Sequence, residues 1–368
     1  VRDGFRALRA AARVELEQLN RSRVLVGLVF CEAITFLVLV SLFGLTGSRA
    51  PTALVQLDQG PLAQSFVRDL RAAHDSFRLH PMSAARARSE IERGEIVAAV
   101  TIPRDFDSAV SRGRTVLLPV TIDNLDADMT EDLRRALPSA ITAFGEQNHF
   151  PGVRLVPAEN DLIDHDTGYI PYLVVSALAL TGFVVAGILG AVAITREYEA
   201  RTATQLRLAP VHAGYVLAGK LLASSLVSGL ALAATLLVVV LGYGVAPEHP
   251  LAVLDVLAIS IPMFTCVGAC AGALLRRTLP VSALFFGLAL PLYIDSGALE
   301  PLRFDGNKVW TIGHTSPVYQ AIGAIEWGFH GLRVTPESVS QDLLVLVGWA
   351  VVSALVAAAV LQTRMVRR

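Results

Sequence analysis

The chain has 368 residues, 53% of them hydrophobic and 17% charged, against roughly 45–50% and about 25% in ordinary soluble domains; its mean hydropathy is +0.54. The apolar residues collect in blocks of about twenty, the length that crosses a hydrocarbon core, which excludes a soluble two-domain protein and predicts a multi-pass membrane protein. A net charge of −1 also lacks the basic footprint that a nucleic-acid partner requires.

Residues 1–23 place Phe5, Leu8, Ala12, Leu16 and Leu19 at helical spacing, with Arg2, Arg6, Arg9 and Arg13 on the other faces. That pattern predicts an amphipathic N-terminal helix lying along the cytoplasmic membrane surface. Residues 24–46 are apolar over a stretch too long for a signal-peptide core and read as a first span. From 47 to 167 the pattern changes to that of an α/β domain. Strand-like runs at Ala53–Leu57, Ile96–Ile102 and Val116–Ile122 alternate with helical ones at Leu62–Ala73, Ala84–Arg93 and Thr130–Phe144, as in βα units of one small sheet. Pro61 and Pro103 fall where a strand gives way to a helix, a position at which a missing N–H is tolerated.

Five more spans follow, at 168–195, 217–243, 251–275, 279–296 and 342–363, joined by a connection at 196–216 and a loop at 297–341, with a tail at 364–368. The fifth span is short and carries Pro280 and Pro291, and Val318 to Phe329 returns to apolar sequence, which fits a re-entrant helix in the last loop. The predicted fold is therefore a polytopic α-helical membrane protein with six transmembrane helices and an inserted extracellular α/β domain. Short loops rich in arginine mark the cytoplasmic side. Six arginines precede the first span, Arg196, Arg201, Arg207 and Lys220 flank the second-to-third connection, and Arg276 and Arg277 form the fourth-to-fifth turn. Both termini are then cytoplasmic and residues 47–167 outside. The near-exclusive use of arginine over lysine, with Lys220 and Lys308 the only two lysines, points to a GC-rich bacterial genome and a bacterial plasma membrane.

Motifs for catalysis are absent: there is no His-Glu-x-x-His, Gly-x-Ser-x-Gly or Cys-x-x-Cys. Gly214 to Lys220 matches seven positions of a phosphate-binding loop, but Leu221 replaces the hydroxyl that would hold magnesium and the segment opens a span. No catalytic or metal-binding residue is assigned. Asp161, Asp164, His165 and Asp166 are either a metal cluster or a solvated, turn-rich linker. Cys31, Cys266 and Cys270 lie within apolar blocks, and Cys266 and Cys270, at i and i+4, read as small core residues and not as a metal site. Glu32, within the first span, either lines a translocation path or is neutralised at a helix interface. Gly268 and Gly272, spaced Gly-x-x-x-Gly, and Gly182, Gly187 and Gly190 in the second span permit close helix packing, within a protomer or across a dimer. The connection Arg196-Glu197-Tyr198-Glu199-Ala200-Arg201-Thr202-Ala203-Thr204-Gln205-Leu206-Arg207-Leu208-Ala209-Pro210 reads as a short amphipathic helix that docks into a partner's groove, or as a positive-inside loop with no partner.

The pattern Arg-Glu-x-Glu-x-x-Thr-x-x-Gln-Leu-x-x-x-Pro in that connection resembles the coupling-helix motif of type-two ABC (ABC-2) exporter permeases. A second match lies in the outer domain. Leu54 to Ala63, Ala85 to Ile91 and Gly94 to Phe106 are similar to the strand, helix and following run found between the first two spans of larger family members, and Ser316 to Ile322 is similar to the family's re-entrant region. The resemblance implies that Arg196, Glu197, Glu199, Thr202, Leu206 and Pro210 contact a cytoplasmic ABC ATPase. It implies two ATPase copies, a second permease copy or a homologous permease, and ATP and Mg bound by the ATPase, with no cofactor in this chain. Arg201 departs from the family pattern where glycine is common, and Ala209 where Ser or Thr is common. The resulting expectation is a dimeric exporter of an apolar or amphipathic substrate, such as a drug or lipid. The rival is a non-transporting membrane receptor or envelope-assembly protein that works through its outer domain.

Overall fold

The computed structural model describes residues 2–22, 27, 30–32, 34–35, 50–72, 77–93, 95–124, 127–148, 155–161, 168–203, 212–299, 313–331, 333, 335 and 337–366. In chain order the elements are α1 (Arg2–Arg21), β1 (Ala50–Gln56), α2 (Pro61–Ala72), β2 (Phe77–Pro81), α3 (Ala84–Glu92), β3 (Ala98–Ile102), α4 (Phe106–Ser111), β4 (Val116–Ile122), α5 (Ala127–Asn148) and β5 (Leu155–Asp161). There follow α6 (Tyr169–Glu199), α7 (Ala213–Gly242), α8 (Pro250–Leu275), α9 (Thr278–Ile294), α10 (Pro317–His330) and α11 (Val339–Leu361). The chain divides into two compact units, one of residues 43–170 with 300–310, the other made of the rest.

In the first unit the five strands form one sheet in the order β2-β1-β3-β4-β5. β1 pairs parallel with β2 and β3, β4 pairs parallel with β5, and β3 and β4 are antiparallel. The step from β1 through α2 to β2 runs outward, and the step through α3 to β3 returns past β1. With right-handed crossovers, those two helices take opposite faces. The cores follow that division. Leu54, Val100, Val116, Leu118 and Val120 pack with Phe66 of α2, Phe106 of α4 and Phe144 of α5, while Ala53, Val55 and Ala99 face Ala87 and Ile91 of α3. The three phenylalanine rings sit 5.5 to 5.9 Å apart, within the range where aromatic pairs add to area burial.

Two strands of this sheet, β2 and β5, have no counterpart among the expected runs, because both are edge strands of mixed polarity. In β5 only Leu155 is buried and Glu159 to Asp161 are exposed. The start of α2 is fixed from a distance. Asp107 accepts the N–H groups of Leu62 and Ala63 at 3.0 and 2.7 Å, while Asp58 accepts those of Gly60 and Asp107 at 2.9 and 3.0 Å. Those donors hold the Asp58 carboxyl below its usual range, since hydrogen bonds to the charged form favour it.

The second unit is helical. Ile170–Glu199, Ala213–Gly242, Pro250–Leu275 and Val339–Met365 are long and apolar enough to cross a membrane, and α9 is a shorter apolar helix. Four long apolar helices among the described residues thus stand against the six spans expected, and most of the first expected span, 24–46, lies outside the described residues. The second span is longer than its hydropathy indicated: α6 continues through Glu199. α10 covers the expected re-entrant segment. Ser316 accepts from its Val318 N–H at 3.2 Å and Gly331 ends it in the left-handed region.

Every residue of α6 from Tyr172 to Thr195 is buried, as a helix that is apolar all round requires. The glycines make this possible. A Cβ on Gly268 would overlap the Gly187 carbonyl, one on Gly272 would press on the Ala191 carbonyl, and one on Gly190 would overlap the Thr265 carbonyl. α6 and α8 therefore meet backbone to backbone, within one protomer. On α11, by contrast, Leu344, Val351, Val352 and Leu355 are exposed, the pattern of a helix facing lipid.

Candidate functional site

The last turn of α6 holds four consecutive residues that each engage a different part of the second unit. Arg196 Nη2 donates to Ser22 Oγ, just beyond α1, at 3.1 Å. Glu197 Oε1 meets Lys220 Nζ of α7 at 2.8 Å. The Tyr198 hydroxyl donates to the Arg364 carbonyl beyond α11 at 3.3 Å, and the Arg276 guanidinium lies 5.3 Å from the Tyr198 ring centroid. Glu199 accepts the Thr278 N–H at 2.7 Å and its hydroxyl at 3.1 Å. That last contact satisfies an otherwise orphaned donor at the start of α9 and places negative charge at the positive end of that helix.

The centre of the site is an ion-pair group. Lys220 Nζ also donates to Glu15 Oε2 of α1 at 2.5 Å, and Glu15 and Lys220 are only 1% and 6% exposed. A single ammonium thus ties together α1, α6 and α7. α1 can approach α7 closely enough because of Gly219, where a Cβ would overlap the Leu8 carbonyl of α1. The second oxygen of Glu197 accepts from the Thr202 hydroxyl at 2.5 Å, and the Thr202 N–H donates to the Glu197 carbonyl at 2.9 Å. The same carboxylate therefore closes the turn that leads out of α6.

Residues 196–199, expected as the start of a separate surface helix, continue α6 instead, and the chain turns at Ala200 and Arg201. Arg201 has φ 57°, a left-handed conformation that disfavours any residue with a Cβ. This is the position where the motif that the connection resembles commonly has glycine. Arg201→Gly is expected to stabilise the protein by about 1 kcal/mol, read as a higher thermal midpoint in detergent. A lower midpoint would show that the arginine side chain, not the backbone turn, dominates there.

Of the residues singled out from the sequence, Arg196, Glu197, Glu199 and Thr202 come together at this turn, whereas Leu206 and Pro210 lie outside the described residues. Glu32 is helical and half-buried, without a hydrogen bond or ion pair among the described residues. Gly268 and Gly272 lie along the α6–α8 crossing, away from the turn. Asp161 is bound by Arg134 at 3.1 Å, and its companions Asp164, His165 and Asp166 fall outside the described residues. Among the described residues no group of three or more His, Cys, Asp or Glu is placed to hold a metal.

Sequence reasoning missed Glu15 and the structural use of Lys220. A lysine within an apolar helix was the available signal, because an ionisable group there needs a partner. It also missed a buried carboxylate on α10: Glu326, 1% exposed, accepts from Ser176 of α6 at 2.7 Å, with His330 Nε2 at 3.7 Å from its other oxygen. A groove of about 300 Å³ opens between α7, α8 and α11, lined largely by apolar side chains such as Leu217, Leu221, Ala354, Ala358 and Leu361.

The family model described as "ABC-2 family transporter protein" matches residues 25–359. No curated protein matches the chain.

Proposed function

This chain belongs to the ABC-2 family of transporter proteins, membrane components of ABC transporters without an ATPase domain of their own, and from that premise we propose that it is the permease of an exporter. In this reading it is a dimer, with a second copy or a homologous permease, in a bacterial plasma membrane. Six spans cross, both termini are cytoplasmic, and residues 47–167 are extracellular. Two cytoplasmic ATPases, which bind ATP and Mg, engage the connection 196–216.

The observation that carries the proposal is the α6 end. A connection pushed by an ATPase moves α6 directly, and through Arg196, Glu197, Tyr198 and Glu199 it also moves α1, α7, the end of α11 and α9. Such a device suits a rigid-body switch between packed arrangements. Glu197 and Glu199 are committed to intrachain partners, so their part is transmission. The docking contacts fall to the residues further along, Leu206 and Pro210 among them. The apolar groove beside α7, with its modest polar lining, favours an apolar or amphipathic substrate.

Co-expression with the candidate ATPase, followed by reconstitution in lipid nanodiscs, tests the reading. The native chain is expected to co-purify with the ATPase and to modulate its ATP hydrolysis. In a Glu197→Ala, Glu199→Ala chain that modulation weakens while the complex persists. If no ATPase stays bound to the native chain, or the variant is coupled as well as the native chain, the proposal fails.

A further inference from the structure

The α/β unit carries a groove along α2. It measures about 440 Å³ and is lined by Gln56 at the end of β1, Gln59 in the following loop, and Gln64, Val67, Arg68 and Arg71 of α2. Its origin is topological. β2 is the sheet edge, and the flank of α2 beyond its buried stripe of Ala63, Phe66, Val67 and Leu70 is exposed at Gln64, Arg68 and Arg71. Gln64, Arg68 and Arg71 follow one another at helical spacing and share that flank. The Gln64 amide donates to the Gln59 carbonyl at 2.9 Å, which holds the loop as one wall.

Among the described residues no acidic side chain pairs with the charge in this groove. Residues 47–167 contain thirteen arginines and eighteen acidic residues, so the unit is acidic as a whole. Yet neither Arg68 nor Arg71 has an acidic partner among the described residues. Asp69, between them in sequence, is buried and pairs with neither. The nearby carboxylates of Asp58 and Asp107 are occupied by backbone N–H groups at the start of α2. The two guanidiniums present planar forks suited to an oxyanion. Three carboxamides supply both donors and acceptors, the complement of hydroxyl groups. The volume exceeds that of an inorganic phosphate and lies in the range of small-ligand pockets.

We propose that this groove binds an organic phosphate bearing hydroxyl groups, of glycerophosphate or sugar-phosphate size, with Arg68 and Arg71 on the phosphate and Gln56, Gln59 and Gln64 on the hydroxyls. The phosphate comes from a soluble metabolite or from the headgroup of a lipid. The site is a property of the α/β unit and holds whether or not the chain exports anything.

The test titrates glycerol 3-phosphate calorimetrically into the full chain in nanodiscs of phosphatidylcholine, then in discs containing phosphatidylglycerol. Saturable binding to the native chain is expected, weakened at least tenfold in Arg68→Gln, Arg71→Gln. Because both side chains are exposed, the thermal midpoint of that variant stays at the native value. Competition by phosphatidylglycerol identifies a lipid headgroup as the source, and unaltered affinity a soluble one. Absence of binding in both kinds of disc, or binding that the double variant leaves within twofold, overturns the proposal.

Discussion

Lys220→Met is expected to destabilise the helical unit by about 3–5 kcal/mol, the cost typical of removing one partner from a buried ion pair. Among the described residues Lys220 is the one cation paired with Glu15 and Glu197, at 2.5 and 2.8 Å, so its loss strands two carboxylates at once. The visible result is release of α1, whose exposed Arg6, Arg9 and Arg13 become trypsin sites at protease concentrations that leave the native chain intact. Substituting the whole group, Glu15→Gln, Glu197→Gln and Lys220→Met together, is expected to restore most of the stability, because a buried ion pair replaced in full by neutral groups is often close to neutral. A Lys220→Met chain with an unchanged melting midpoint and unchanged cleavage would contradict the ion-pair account.

That prediction rests on residues the sequence hid in plain patterns. Long-range order in the apolar blocks was legible: α7 and α8 begin and end within a few residues of the expected spans, since both the buried and the exposed faces of these helices are apolar. β4 was legible to the residue, because Val116, Leu118, Val120 and Ile122 alternate with outward positions. β2 and β5 were not, because an edge strand buries too little to impose alternation. At the candidate site the polar residues at the end of α6 were identifiable from their run of charge after an apolar block. Their partners were not. Glu15, Ser22 and Thr278 lie far along the chain from α6, and no local spacing links a carboxylate on a basic amphipathic helix to a lysine two hundred residues away. The continuation of α6 through Glu199 was hidden for a related reason. Hydropathy marks where apolar sequence stops, whereas a helix stops where its last carbonyls find other donors, here at the left-handed Arg201.

The crossing of α6 and α8 carries the second large expectation. In Gly268→Leu the new Cβ falls on the Gly187 carbonyl, a backbone group that yields only if the two helices part. α6 is the buried centre of the helical unit, so parting them opens every interface that its Tyr172–Thr195 stretch makes. Overpacking of a tight core costs typically 1–3 kcal/mol, and here little room exists for relaxation. The expected outcome is a loss of monodisperse protein on size-exclusion chromatography in detergent and a lower melting midpoint in whatever remains. Gly348→Leu on α11 is the matched control, because nothing lies within 4 Å of the position its Cβ would take. There the gain in helix propensity, about 1 kcal/mol, is expected to leave the protein as stable as the native chain or more so. Equal behaviour of the two variants would mean that the glycines of α8 do not pack on α6 and serve a contact between protomers instead.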